Sequence, residues 1–216
     1  MTGYPAVAIV MATLLEAKPF VEGMFLKKSE KKPFDLFRNE NTVLIISGIG
    51  KSNAAMASAY CCQKFDPACI CNLGAAGATL FSHSLGDILH IREIVEYDRP
   101  DFRSGKPHIH RPDTLKDFQT ADLATGDKAI LDPDERKKIS MHAGLVDMEG
   151  ASVAQVCRKF HKSCYMFKFV SDTPHHTRDE DIVENIRQYR TPFCEFFIKS
   201  VLPVLKSEIK TYRLSR

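Results

Sequence analysis

At 216 residues and 24.3 kDa, with 44% hydrophobic and 26% charged residues, the chain is sized for one compact domain spanning 1–216, and its composition excludes disordered, collagen-like and coiled-coil classes. The net charge of +3 is dispersed with no basic stripe, so no nucleic-acid partner is inferred. No stretch approaches the ~20 apolar residues of a membrane span, and no secretion-type leader precedes Ala6, so a cytoplasmic protein with no membrane partner is expected. Seven cysteines, an odd number, lie at 61, 62, 69, 71, 157, 164 and 194 within apolar segments, which reads as buried thiols in a reducing compartment.

Residues 6–12 form a short, nearly continuous apolar run that predicts a strand buried on both faces. Thr13 then leads into helical spacing, with Leu15, Phe20 and Met24 on the inner face. Segments 34–37 and 42–47 predict two strands of a hairpin turning through Arg38-Asn39-Glu40-Asn41. Gly48-Ile49-Gly50 opens a helix near Ser52 whose alanines at 54, 55, 57 and 59 permit close packing on a sheet. The next strand, 68–73, is expected to break at Gly74-Ala75-Ala76-Gly77, where small residues let a backbone approach a ligand. Strand character resumes over 86–95, residues 98–120 read as a long irregular excursion, and 143–148 and 164–170 predict buried strands joined by a helix from 149 to about 160. A final helix covers 179–206, with Pro192 as the expected kink. This alternation predicts an α/β fold, a three-layer α/β/α sandwich around a central mixed β-sheet, in which ligands sit at strand carboxyl ends.

The residues at those ends are therefore the informative ones. Glu16, a few residues past the first strand, is by itself an acid favoured in the first turn of a helix. Gly48-Ile49-Gly50-Lys51-Ser52 lacks the first glycine of a phosphate loop, so a tight turn with Ser52 as N-cap suffices. Asp147-Met148-Glu149 has two readings: a cap followed by a first-turn acid, or Met148 against an apolar ligand face with Glu149 accepting bonds from hydroxyls. Asp172 follows a buried strand, and Pro174 forces Thr173 away from helical geometry, so Asp172 is no simple helix cap. The adjacent His175 and His176 have no partners at metal-binding spacing, so neither a metal nor another cofactor is expected.

Taken in order, residues 11–16, Ser47-Gly48-Ile49-Gly50-Lys51, Asn72-Leu73-Gly74-Ala75-Ala76-Gly77, Leu85-Gly86-Asp87-Ile88, Thr125-Gly126-Asp127, residues 146–157 and Val170-Ser171-Asp172 resemble the purine nucleoside phosphorylase and nucleosidase superfamily. The similarity is greatest to its 5′-methylthioadenosine/S-adenosylhomocysteine nucleosidases. The resemblance implies the nucleoside phosphorylase-like version of the fold, a small-molecule purine nucleoside as ligand, and cleavage of its N-glycosidic bond. On that analogy Asp172 protonates or hydrogen-bonds N7 of the base, Glu149 holds ribose hydroxyls, Met148 packs on the ribose, and Glu16 positions the attacking water. Ala75, Ile130, Lys168 and Ser171 complete the implied substrate site, and a homodimer is implied, with the 98–120 excursion completing a neighbour's pocket. An oxocarbenium-like transition state independently calls for an acid at the leaving group and negative charge near the sugar.

Three positions depart from the family pattern. Ala129, followed by Ile130, stands where the nucleosidases carry an aromatic that stacks on adenine. Ala75 replaces a serine, and Lys168 replaces an arginine. The leading reading is hydrolysis of 5′-methylthioadenosine, S-adenosylhomocysteine or a related, futalosine-type nucleoside. A phosphate-dependent phosphorylase and a non-catalytic nucleoside-binding protein are the alternatives.

Overall fold

The structure, a computed structural model, describes residues 6–214, with side chains to 210. Ten strands form one mixed sheet: β1 (Val7–Met11), β2 (Lys27–Glu30), β3 (Asp35–Arg38), β4 (Thr42–Ile46), β5 (Cys69–Ala78), β6 (Ile88–Pro100), β7 (Pro107–His110), β8 (Thr120–Thr125), β9 (Leu145–Asp147) and β10 (Ser163–Asp172). The path runs β10-β6-β8-β9-β5-β1-β4-β3-β2, and β10 also pairs with β5, closing β5, β10, β6, β8 and β9 into a ring. The sheet therefore curls on itself at one end and stays open at the other.

Alternate residues of β1 face opposite layers, as a doubly covered strand requires. Ala8 and Val10 pack with α2 (Lys51–Phe65) and α4 (Gly150–Lys159); Val7, Ile9 and Met11 pack with α1 (Leu14–Gly23) and the C-terminal helices. The remaining helices are α3 (Pro133–Ile139), α5 (Asp179–Phe196) and α6 (Leu202–Leu214). The expected three-layer arrangement is thus present. Pro19 in α1 cannot donate to the Leu15 carbonyl, and Arg190 of α5 supplies the missing donor at 2.6 Å, tying the two helices together.

Several elements differ from their sequence expectation. Gly74-Ala75-Ala76-Gly77 does not break β5, because β10 on one edge and β9 on the other hold its backbone through Ala78. The excursion holds a hairpin: β6 extends to Pro100 and pairs with β7, whose polar residues gave no apolar signal. The charged β2, together with β8 and α3, has no counterpart in the expected elements. Ser52 is not the cap of α2. Gly50 is, and the helix's first N–H groups are met from afar by the Glu149 and Asp127 carboxylates. The irregularity in the final helix is a π-helical turn at Phe197–Val201, beyond Pro192. The hairpin of β3 and β4 forms as expected, with Asn39 Oδ1 accepting from the backbone of Asn41 and Thr42.

Candidate active site

A cavity of about 190 Å³ opens where the carboxyl ends of β1, β5, β9 and β10 converge. Seven of the residues singled out in the sequence line it: Glu16, Ala75, Ile130, Met148, Glu149, Ser171 and Asp172. Its walls are largely apolar, with Ile49, Val146, Ile182 and Ile186 among them, and Ala129 stands beside Ile130.

Glu16 is fixed by a reciprocal capping box. Thr13 Oγ1 and the Thr13 N–H donate to Glu16 Oε2 at 2.6 and 3.1 Å, while the Glu16 N–H donates to Thr13 Oγ1. Oε1 accepts from the Ala75 N–H at 2.9 Å. A Cβ on Gly74 would lie 2.8 Å from that same oxygen, so the glycine is what lets β5 pass so close to the carboxylate.

Asp147 and Glu149 divide the two readings of their segment between them. Asp147 supports the start of α4: Oδ2 accepts from the Gly150 N–H at 2.9 Å, and Oδ1 accepts from Thr125 Oγ1, which itself accepts from the Ala151 N–H. Glu149 occupies the N-cap position without capping, lines the cavity and accepts from the Gly50 N–H at 2.8 Å. Burial, then repulsion from Asp147, pushes the Glu149 carboxyl up to about 7.

Lys168 lies behind the cavity wall. Its ammonium, 1% exposed, pairs with Asp147 Oδ2 at 2.9 Å. Burial opposes its charge, yet Asp147, Glu149 and Glu16 together hold its proton affinity above the ordinary lysine value.

At the far side of the cavity, the pairing of β10 with β5 shifts between Val170 and Asp172. Such a bulge re-aims side chains, and here two consecutive residues, Ser171 and Asp172, reach the same cavity. Ser171 Oγ donates to Asp172 Oδ1 at 2.5 Å, and Arg136 Nη2 of α3 donates to Asp172 Oδ2 in a buried ion pair. Arg136 Nη1 also donates to the Ala78 carbonyl at 2.7 Å.

The residues not anticipated are Arg136, Thr125, Thr13 and Lys128; Lys128 lines the cavity mouth and pairs with Glu135. Arg136 sits in the charged run 132–138, where only its spacing of three from Ile139 hints at an inward face. Among the described residues, no group of three or more His, Cys, Asp or Glu side chains is arranged to hold a metal ion. No helix there is long and apolar enough to cross a membrane. All seven cysteines are buried free thiols.

Comparison with known proteins places this geometry in context. A Staphylococcus aureus 5′-methylthioadenosine/S-adenosylhomocysteine nucleosidase is 32% identical over 162 residues, covering 63% of this chain and 71% of the relative. The structure of the Helicobacter pylori enzyme of the same name, complexed with a substituted pyrrolidin-3-ol, superposes with a TM-score of 0.79 at 18% identity, covering 92% of this chain and 98% of that one. The futalosine hydrolase of Helicobacter pylori also gives 0.79 at 18% identity, covering 95% and 98%. The phosphorylase superfamily profile matches residues 6–202, so the chain belongs to the phosphorylase superfamily.

Proposed function

We propose that this protein hydrolyses the N-glycosidic bond of a purine nucleoside, with 5′-methylthioadenosine, S-adenosylhomocysteine or a futalosine-type nucleoside as substrate. The observation that carries the reading is the convergence of Glu16, Glu149 and Asp172, from three separate strand ends, on one apolar-walled cavity. Glu149 accepts bonds from the ribose hydroxyls and Met148 packs on the sugar. Glu16 takes the proton of the attacking water as its oxygen bonds to C1′. The electron pair of the breaking C1′–N9 bond passes to the base, whose N7 is protonated or hydrogen-bonded by Asp172 once that carboxylate has taken up a proton from solvent. General acid assistance of this kind supplies about 10²–10⁴-fold.

Water rather than phosphate is the nucleophile in this reading. A dianion needs free N–H donors or unpaired cations. The N–H groups of Gly50, Lys51 and Ala75 each already donate to a carboxylate, of Glu149, Asp127 and Glu16 respectively. The two lysines nearest the cavity, Lys128 and Lys168, are paired with Glu135 and Asp147. The test is product analysis with and without phosphate: free ribose product at a phosphate-independent rate is expected. A ribose 1-phosphate product that rises with phosphate concentration overturns hydrolysis in favour of phosphorolysis, and no cleavage of any purine nucleoside leaves only the binding role.

We further infer a homodimer acting in the cytoplasm. Support for the dimer comes from apolar side chains left in solvent: Phe102 at the turn between β6 and β7 is fully exposed, and Ile49 at the cavity and Met56 of α2 are more than half exposed.

A further inference from the structure

Glu149 enters the proposed mechanism as a carboxylate facing the ribose, yet its own helix does not hold it there. It occupies the N-cap position of α4 without capping, and the hydrogen bond its carboxylate accepts comes from the Gly50 N–H, at 2.8 Å and 99 residues away in sequence. Where that N–H stands therefore decides where the carboxylate points. As a glycine at the N-cap of α2, Gly50 has no side chain to anchor it, and its φ of +99° lies in the region that favours glycine.

The chain entering this turn is held by the Gly48 N–H, which donates to the Ala12 carbonyl at 3.0 Å, and by Asn53 Nδ2, which donates to the Ile49 carbonyl at 2.7 Å. The chain leaving it is held by Asp127. Asp127 Oδ1 accepts from the Lys51 N–H at 2.7 Å, and a Cβ on Gly50 would lie 3.1 Å from that same oxygen. Asp127 is itself anchored: its N–H donates to Asp98 Oδ2 at 2.8 Å, and the adjacent Gly126 N–H donates to the Asp147 carbonyl at 3.1 Å. The circuit from Glu149 through Gly50, Lys51, Asp127 and Gly126 thus returns to Asp147, on the strand end that carries Glu149. Lys51 Nζ braces it, donating to Asp98 Oδ1 at 2.6 Å and to Glu96 Oε1 at 3.0 Å. Asp127 is exposed and is not among the residues lining the cavity. The charges acting most strongly on Glu149 are those of Asp147, Lys168 and Glu16, so the route from Asp127 to Glu149 is the backbone of residues 50 and 51.

We propose that Asp127 is a positioning residue: by holding the Lys51 N–H it sets the Gly50 N–H, and through it aims the Glu149 carboxylate at the ribose hydroxyls. This rests on the assignment of Glu149 to the ribose. The experiment measures kcat/KM against pH for the unmodified protein, Asp127→Ala and Asp127→Asn, on whichever of 5′-methylthioadenosine, S-adenosylhomocysteine and futalosine the unmodified protein cleaves. Alanine removes the accepting oxygen, whereas asparagine keeps it and removes only the charge. The expected result for Asp127→Ala is a loss of about 10- to 100-fold, the scale of a misplaced contact. Its Glu149 limb also moves to higher pH, because the Gly50 bond that lowers the proton affinity of Glu149 is loosened. Asp127→Asn keeps the limb in place and most of the rate. Urea unfolding checks that both variants are folded, as expected for changes at an exposed position.

A limb that stays in place in Asp127→Ala overturns the inference whatever the loss in rate, because Asp127 then serves stability or another part of the site. Equal damage in Asp127→Asn and Asp127→Ala also overturns it, since the charge rather than the accepting oxygen then matters. Both outcomes leave nucleoside hydrolysis intact. An unmodified protein that cleaves none of the three nucleosides refutes the reading of the cavity itself, and one that cleaves without a Glu149 limb refutes the role of Glu149; this inference falls with either.

Discussion

Lys168→Met tests the charge arrangement beneath the cavity. Methionine matches the length and apolar stem of lysine but removes the ammonium that sits 2.9 Å from Asp147 Oδ2, with both side chains 1% exposed or less. Asp147 keeps its bonds from Thr125 Oγ1 and the Gly150 N–H, yet loses the only cation paired with it among the described residues. Breaking a buried pair from one side costs about 3–5 kcal/mol, because the remaining charge stays desolvated. For a chain of this size each kcal/mol moves the midpoint by about 2–4 °C, so a fall in Tm of roughly 6–20 °C is expected. The assay is thermal and urea unfolding of the single variants Lys168→Met and Asp147→Asn and of the double variant. The double variant should be more stable than Lys168→Met alone, since the orphaned charge is gone. A second readout follows from Lys168 lowering the proton affinity of Glu149: in Lys168→Met the Glu149 limb of the pH–rate profile moves to higher pH. A loss below about 1 kcal/mol in Lys168→Met, the size of an exposed pair, would refute the reasoning, as would a double variant whose loss is the sum of the two singles.

Asp172→Asn should lower turnover by about 100-fold or more while preserving the fold, since the amide keeps an acceptor for Arg136 but gives no proton; near-normal turnover removes Asp172 from the chemistry. In the proposed mechanism Glu149 binds the ribose hydroxyls as a carboxylate, and its proton affinity is raised, so kcat/KM should climb with pH through about 7 and then level, with the limb absent in Glu149→Gln. The same shift acts on stability. The folded protein holds this proton up to about 7 against an ordinary 4.5, so the contribution of Glu149 favours the fold at acid pH and is lost as pH rises across that window. Chemical denaturation of wild type and Glu149→Gln between pH 5 and 8 on that scale checks the slope. Sedimentation at micromolar concentration should give a dimer, weakened by Phe102→Asp; a monomer contradicts the interface assigned to the exposed apolar residues.

The strand ends were legible because each candidate acid follows an apolar run: Glu16 after 6–12, Glu149 after 143–148, Asp172 after 164–170. An apolar run states its own burial, and the next polar residue then marks the rim of the sheet. What was not legible depends on distant partners. Ser52 has the chemistry of a cap, but carboxylates from residues 127 and 149 reach the start of α2 instead. Gly74-Ala75-Ala76-Gly77 has the composition of a turn and becomes strand because two neighbouring strands saturate its backbone. Arg136 lies in a run that looks solvated, and its burial is dictated by Asp172, 36 residues away. Lys168 did carry a local signal: a lysine inside Tyr165-Met166-Phe167-Lys168-Phe169-Val170 has to be buried and paired, although the sequence does not name the partner.

Under the proposed function, the placement of charge around the cavity suits a sugar cation better than an incoming anion. Two buried cations stand behind its wall, and each is matched by an acid, Lys168 by Asp147 and Arg136 by Asp172. Glu16 and Glu149 are held differently, by the backbone N–H groups of Ala75 and Gly50, and neither is in an ion pair among the described residues. Partial charges on backbone amides orient these carboxylates without cancelling them, so the part of the cavity they line stays negative. Burial in that field is also why Glu149 holds its proton so strongly, with Asp147 and Glu16 both adding to the effect. A unit positive charge developing about 4 Å from one such carboxylate gains about 4 kcal/mol at an effective dielectric of 20, and a phosphate dianion in the same place meets repulsion of that order for each of its charges. In the proposed reaction, the feature that makes the site resist full ionisation is therefore the one that stabilises an oxocarbenium ion, and it acts only as positive charge appears on the ribose.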